Sequence, residues 1–243
     1  SLAMARKAVD IVPGRYKGLV IYNEATNFSV GANIGLLLVL ALLRLTPIVR
    51  WIVGKGQDSY KALKFAPFPV VGAPSGMALG GGCEVLLHCD AIQAHAESYI
   101  GLVETAVGIV PGWGGCKEML LRRWAEPGRP GGPMPVVTKA FETISVATVA
   151  KSADLARDHL FLRSGDGITM NRYRLLSDAK AKILSLADGY LPPDPVEISL
   201  PGPTGQAALD MAVKGFAKRG IATPHDVVVA GALGRVLSGG DTD

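Results

Sequence analysis

The stretch Pro74-Ser75-Gly76-Met77-Ala78-Leu79-Gly80-Gly81-Gly82-Cys83-Glu84-Val85-Leu86-Leu87-His88 decides how this chain folds. An apolar run, PVVGA at 69–73, leads into it. Glycines at 80–82 break the pattern, and an apolar segment with a carboxylate near its start follows. That order reads as strand, glycine turn, helix. Consecutive glycines let the main chain approach a ligand with no Cβ in the way. The N–H groups of a first helical turn lack helical partners and carry partial positive charge. Such a turn can hold an anion or a developing oxyanion, with Gly81 as donor. Glu84, three residues on, lies in the same first turn, where a carboxylate can act as general acid or base. The plainer reading is tight backbone packing beside a glutamate that complements the helix dipole. Spacing alone does not choose between the two.

Working outward, the N-terminal residues show an amphipathic helix pattern with Leu2, Ala5, Val9 and Val12 on one face. GLVIY (18–22) is a short buried strand. NFSVGANIG (27–35) is a glycine-containing turn, followed by an apolar helix over 34–45 and a further helix over 48–64. AIQAHA (91–96) is a third strand and SYIG (98–101) a short extended piece. The loop 102–115 carries Glu104 and a second glycine turn, Pro111-Gly112-Trp113-Gly114-Gly115, ahead of the helix CKEMLLRRW (116–124). Strands alternating with helices predict an α/β core with a parallel sheet over 1–125. AEPGRPGGPMP (125–135) is the linker candidate. The region 136–243 reads mainly as helix, over 136–150, 152–162, 170–187, 205–219 and 224–237. The last has a strong start: Thr223 caps, Pro224 takes the first helical position and Asp226 falls three residues after the cap.

Composition narrows the function. Lys and Arg number 25 against 21 Asp and Glu, a net charge of +4 in 243 residues. No basic stripe interleaves with aromatics, so the chain lacks a nucleic-acid footprint, and the mild excess suits an anionic small ligand. Three cysteines (Cys83, Cys89, Cys116) are too few for a disulfide framework and read as reduced thiols, which predicts a cytoplasmic setting. The apolar run IGLLLVLALL (34–43) is too short to span a bilayer and predicts a buried or interface helix. Gly76 to Gly82 lacks the spacing of a dinucleotide fingerprint, and no Gly-Lys-Ser/Thr follows it. Ser75 does not sit in a nucleophile elbow. Cys83, His88, Cys89 and His95 do not have a standard zinc spacing. His159 and His225 read as ordinary helix-end residues.

Residues from Asn27 to Arg123 resemble the crotonase (enoyl-CoA hydratase/isomerase) superfamily. Phe28-Ser29-Val30-Gly31-Ala32-Asn33-Ile34 carries part of the likeness, although the family usually has Asp where this chain has Asn33. The rest lies in the run from Pro74 to Asp90, then Gly101-Leu102-Val103-Glu104, Gly108-Ile109-Val110-Pro111-Gly112 and Gly114-Gly115. The resemblance implies a crotonase-like ββα superhelix that lacks its first strands, followed by a mainly helical C-terminal region. It implies an oxyanion hole from the N–H groups of Ala32 and Gly81, and a water held by Glu84 and Glu104 and oriented by Gly112. Having both glutamates favours hydration of a trans-2-enoyl-CoA in fatty-acid β-oxidation. The alternatives are a Δ3-Δ2-enoyl-CoA isomerase, or an inactive fragment or interaction module. CoA belongs to the substrate, and no separate cofactor, metal, nucleic acid or membrane partner is implied. A homo-oligomer, trimeric or hexameric, is. The apolar helix 34–45 could line an acyl tunnel. The stretches 164–190 and 223–240 are similar to the tail of bacterial 3-hydroxyacyl-CoA dehydrogenases fused to a crotonase domain, which places a dehydrogenase upstream.

Overall fold

The computed structural model describes residues 2–31 and 33–240. It is a mixed α/β structure in two compact units: residues 1–101, 112–114 and 150–194 form the first, and 102–111, 115–149 and 195–243 the second.

The first unit is built on four short parallel strands: β1 (Leu19–Tyr22), β2 (Val70–Ala73), β4 (Ala91–His95) and β7 (Gly167–Thr169), in the order β1-β2-β4-β7. Val20 pairs with Val71, Gly72 with Ile92 and Ala94 with Ile168. Parallel strands are covered on both faces and so read as continuous apolar runs, as Val70 to Ala73, all buried, illustrate. One cluster joins Val71, Ala73 and Ala91 to Leu175, Ala179 and Ile183 of helix α8 (Leu175–Ala187). Another joins Val70 and Cys89 to Val12, Ala66 and Phe68. Around them run α1 (Leu2–Ile11), α2 (Ile34–Leu42), α3 (Thr46–Lys64), α4 (Gly81–Leu87) and the four-residue α7 (Leu155–Asp158).

A second small sheet pairs β3 (Met77–Leu79) with β5 (Tyr99–Gly101) in parallel. The segment Phe28–Gly31 runs beside β3. Phe28 N–H donates to the Ser75 carbonyl, Ser29 N–H to that of Met77, and Leu79 N–H to that of Ser29, each at 2.9 Å.

The second unit is helical, with α5 (Gly115–Trp124), α6 (Met134–Ser145), α9 (Gly202–Lys218) and α10 (Pro224–Ser238). The two-residue strand β6 (Val149–Ala150) lies where the chain passes from this unit back to the first. Val137, Ile144, Leu233 and Leu237 are fully buried. The capping box at the start of α10 forms as its sequence predicts, Thr223 Oγ1 accepting from Asp226 N–H at 3.2 Å and Asp226 Oδ2 from Thr223 N–H at 2.9 Å.

One strand appears that the sequence did not mark, and three local expectations change. Met77–Leu79 is a strand because it is flanked by β5 and by Ser29. Gly167–Thr169, in the stretch expected to be mainly helical, is a strand because it completes the edge of the sheet beside β4. The helix expected over 152–162 shrinks to Leu155–Asp158, with Leu160 in the left-handed region at φ +59°. The apolar helix expected to be buried or to form an interface is not buried within the described residues: in α2 only Leu40 is buried. Among the described residues no helix is long and apolar enough to cross a membrane.

Candidate active site

The first glycine turn makes the tight reversal its sequence requires. Gly80 has φ +56° and ψ −125°, a conformation that a Cβ would oppose. Its N–H donates to the Gly101 carbonyl at 2.9 Å, and its own carbonyl accepts from Glu84 N–H at 2.9 Å, which opens α4. Gly81 is the first residue of that helix, at a position whose N–H has no carbonyl available from the preceding turn.

The loop after β1 comes close to this turn. A Cβ on Gly82 would sit 2.6 Å from the Ser29 carbonyl oxygen, so only glycine permits the approach. Gly31, at φ +91°, lies against Gly80 and the Gly81 nitrogen: a Cβ there would be 3.6 Å from Gly81 N. Ala32, the other oxyanion-hole candidate, lies outside the described residues.

Glu84 is 2% exposed. It lies in the first turn of α4, where the helix dipole favours a negative charge. Its Oε1 accepts from the backbone N–H of Trp113 at 2.8 Å, so the second glycine turn directs a main-chain donor at the carboxylate. Gln57 of α3 holds that turn through Nε2, which donates to the Gly112 carbonyl at 2.8 Å. Tyr60, one helical turn further along α3, donates its hydroxyl to the Gly81 carbonyl at 2.9 Å. Its ring meets the Trp113 indole edge-on, 5.6 Å between centroids, and tilts against His88 at the same distance. His88 Nδ1 lies 2.7 Å from the Glu84 main-chain oxygen. Glu84, Gly81 and Gly112 therefore share one packed group, braced by Tyr60, Gln57 and Trp113. Of these three braces the sequence signals only Trp113, a bulky aromatic inside a glycine turn. Tyr60 and Gln57 follow no local spacing, since their partners are 21 and 55 residues away.

A cavity of about 720 Å³ opens beside this group, with Gly31, Tyr60, Gly81, Val85 and Trp113 in its wall and Met4 of α1 among its apolar lining. Glu84 does not line it directly, but its neighbours Gly81 and Val85 and its hydrogen-bond partner Trp113 do. Helix α2, considered above as a tunnel wall, does not line it either.

Glu104 belongs to the second unit. It opens the short 3-10 turn Glu104–Val107, which Gly108 closes at φ +80°. The turn is anchored by Thr105 Oγ1, donating to the Ile144 carbonyl at 2.7 Å, and by Ile109 N–H, donating to the Glu104 carbonyl at 3.2 Å. His225 of α10 packs on Gly108, where a Cβ would come 2.7 Å from its Nε2. His225 thus covers the turn that Glu104 begins, a placement that its position at a helix end did not signal.

Known proteins resemble this chain in sequence and in fold. The family model "Enoyl-CoA hydratase/isomerase" matches residues 15–125. A Bacillus subtilis (strain 168) protein named "Probable 3-hydroxyacyl-CoA dehydrogenase" is 39% identical over 240 residues, covering 98% of this chain and 30% of that protein. The "Fatty acid oxidation complex subunit alpha" of Idiomarina loihiensis is 39% identical over 103 residues, 42% of this chain and 14% of that protein. The chain thus spans less than a third of these curated relatives. An enoyl-CoA hydratase from Polaromonas sp. JS666 superposes with a TM-score of 0.62 at 19% identity, covering 97% of this chain and 79% of that one. One from Bacillus anthracis superposes at 0.60 and 20%, with the same coverage. At such identity these likenesses establish the fold. The match to the enoyl-CoA hydratase/isomerase family lies over residues 15–125, and the fold of the chain is that of the crotonases.

Proposed function

We propose that the chain carries an enoyl-CoA hydratase activity, adding water to the double bond of a trans-2-enoyl-CoA within fatty-acid oxidation. The observation that carries this reading is Glu84. A carboxylate so fully buried, held by a main-chain N–H and set in the first turn of a helix behind three glycines, suits acid–base chemistry better than a solvated surface role.

Addition of water to a conjugated thioester builds negative charge on the carbonyl oxygen. The N–H groups of Gly81 and Ala32 would receive that charge. One such donor is worth roughly 3–4 kcal/mol in comparable oxyanion holes. Glu84 and Glu104 divide the proton work, one taking the proton of the water and the pair returning one to the α-carbon. Gly112 orients the water. The assignment of Glu104, Ala32 and Gly112 to these roles comes from the family resemblance. The thioester enters with CoA attached, as substrate.

The test is an assay with a trans-2-enoyl-CoA, following loss of the conjugated enoyl absorbance and appearance of the 3-hydroxyacyl product. A 3-enoyl-CoA offered in parallel reports isomerisation, since it gains the conjugated band. Turnover of the first substrate that disappears in Glu84→Gln and in Glu104→Gln supports the reading. Gain of the conjugated band from the 3-enoyl substrate, with no hydration, replaces it with the isomerase.

A further inference from the structure

Helix α2 is apolar all round, and among the described residues little besides Leu40 is covered. Leu38, Leu42 and Leu43 are 58%, 73% and 63% exposed, and Ile34, Leu36 and Val39 are also exposed. At 100° per residue these side chains span an arc of roughly 200°. A protein partner docking on a helix usually needs an apolar stripe about half as wide. An arc this wide suits immersion in a fluid apolar medium.

The end of the helix is basic. Arg44 follows the apolar run directly and takes the left-handed conformation, φ +55°, that closes α2. Its N–H donates to the Ala41 carbonyl and Leu45 N–H to that of Leu40, a reversal usually made with glycine. Arg50 and Lys55 of α3 are exposed as well, and among the described residues no carboxylate pairs with the side chains of these three. Trp51, 63% exposed, stands beside Arg50. Residues 1–64 contain nine Lys and Arg against three Asp and Glu, a net +6 in a chain whose total is +4. Apolar side chains on α2, with a tryptophan and exposed cations from its end and along the first half of α3, match the layered chemistry of an anionic bilayer surface. At about 1.5 Å per residue, nine residues reach less than half way through a hydrocarbon core, so α2 can only lie in the interface.

We propose that α2 docks this chain on anionic lipid bilayers, its leucines among the upper acyl chains and Arg44, Arg50 and Lys55 at the headgroup phosphates. The inference is independent of the hydratase reading. It adds a membrane surface to the partners that the sequence implied.

Vesicle flotation of the 243-residue chain tests it, with phosphatidylcholine vesicles and with vesicles that also contain phosphatidylglycerol. The chain is expected to float with the anionic vesicles and to be released by high salt. Leu38→Glu/Leu42→Glu alters only exposed positions and should abolish flotation. Arg44→Gly/Arg50→Gln keeps the left-handed turn accessible and should lower partitioning about fivefold for each charge removed. Circular dichroism establishes that each variant is folded. A chain that floats with neither vesicle type overturns the proposal, as does flotation unchanged in Leu38→Glu/Leu42→Glu. If the chain does not float but sediments as an oligomer, and this variant makes it a monomer, the face is covered by a second copy.

Discussion

The backbone N–H of Trp113 donates to Oε1 of Glu84 at 2.8 Å, so the turn after residue 111 fixes the carboxylate in the first turn of α4. Replacing Glu84 by glutamine leaves an oxygen able to accept that bond and removes the capacity to exchange a proton. Glu84→Gln should therefore keep the wild-type melting temperature while kcat for enoyl-CoA hydration falls by about 10²–10⁴-fold. Glu84→Ala should lose the same activity and also melt earlier, because Trp113 N–H then lacks its acceptor. Parallel kinetics and thermal melts check both. A glutamine variant with more than about a tenth of wild-type kcat would remove Glu84 from the proton chemistry.

Trp113 is held in turn by a glycine on α3. A Cβ on Gly56 would run into the Trp113 indole, which packs directly over that position. Gly56→Ala should therefore displace the indole and move the Glu84 donor with it. Overpacking of this kind costs about 1–3 kcal/mol of stability. A displacement near 1 Å at a reacting group can cost roughly 10² in rate. A changed near-ultraviolet dichroism with retained far-ultraviolet signal would report the moved tryptophan, and kcat its consequence. An alanine variant with wild-type kcat would show that the indole's position does not govern the carboxylate.

These relationships mark how far the sequence could be read. The strand β2 was legible because a parallel strand buried on both faces is apolar throughout, as at Val70–Ala73, and β1 and β4 because short apolar stretches mark them, although Leu19–Tyr22 is only half-buried at its edge and β4 carries Gln93. Gly81 and Glu84 were legible because their relation is local, three residues within one helical turn. β3 and β7 were not. Met77–Leu79 and Gly167–Thr169 have only three residues each, and their extended state comes from the neighbours they pair with. Tyr60 and Gln57 were invisible for the same reason, since what they touch is far away in the chain. The apolar run of α2 was misleading in the opposite sense. Hydropathy states what a segment would favour as surroundings, and the described residues do not supply them.

Asp90 and Tyr190 form a long-range contact of the same kind, the phenol donating to Oδ1 at 2.9 Å across 100 residues. Burial raises the Asp90 carboxyl above its ordinary range, while the Val70 N–H, the Tyr190 hydroxyl and the Arg163 charge pull it back. Because the folded form holds this proton more tightly than the unfolded chain does, stability falls as pH rises. The fall begins near the unfolded value of 3.8 and ends above the raised one. Asp90→Asn should flatten that part of the curve of unfolding free energy against pH. Burial first, and then the Asp90 charge, push the Tyr190 phenol up, so it stays protonated and donates throughout. Tyr190→Phe removes one donor that favours the charged carboxylate. It should cost about 1 kcal/mol and carry the pH-dependent fall to higher pH. Denaturant titrations from acid to neutral pH measure both, and a Tyr190→Phe curve parallel to wild type would show that the phenol does not tune Asp90.

The capping box of α10 makes the opposite pH prediction. Asp226 is held below the ordinary carboxylate range, chiefly by the backbone N–H of Thr223 and then by its hydroxyl, so here the unfolded chain binds the proton more tightly. Its contribution is complete above the unfolded value of 3.8 and is lost as pH falls through the lowered one. Thr223→Ala removes one reciprocal bond and should lower the melting temperature by roughly 2–4 °C at neutral pH. Asp226→Asn should match wild type in acid and fall below it as pH rises. His225, between the two capping residues in sequence, packs over Gly108, so fraying of the first turn of α10 also loosens the cover on the turn that begins with Glu104. If Glu104 acts in hydration, Thr223→Ala should lower kcat modestly at a temperature where the fold is intact. Thermal melts and turnover measured on the same samples separate that effect from a simple loss of folded protein.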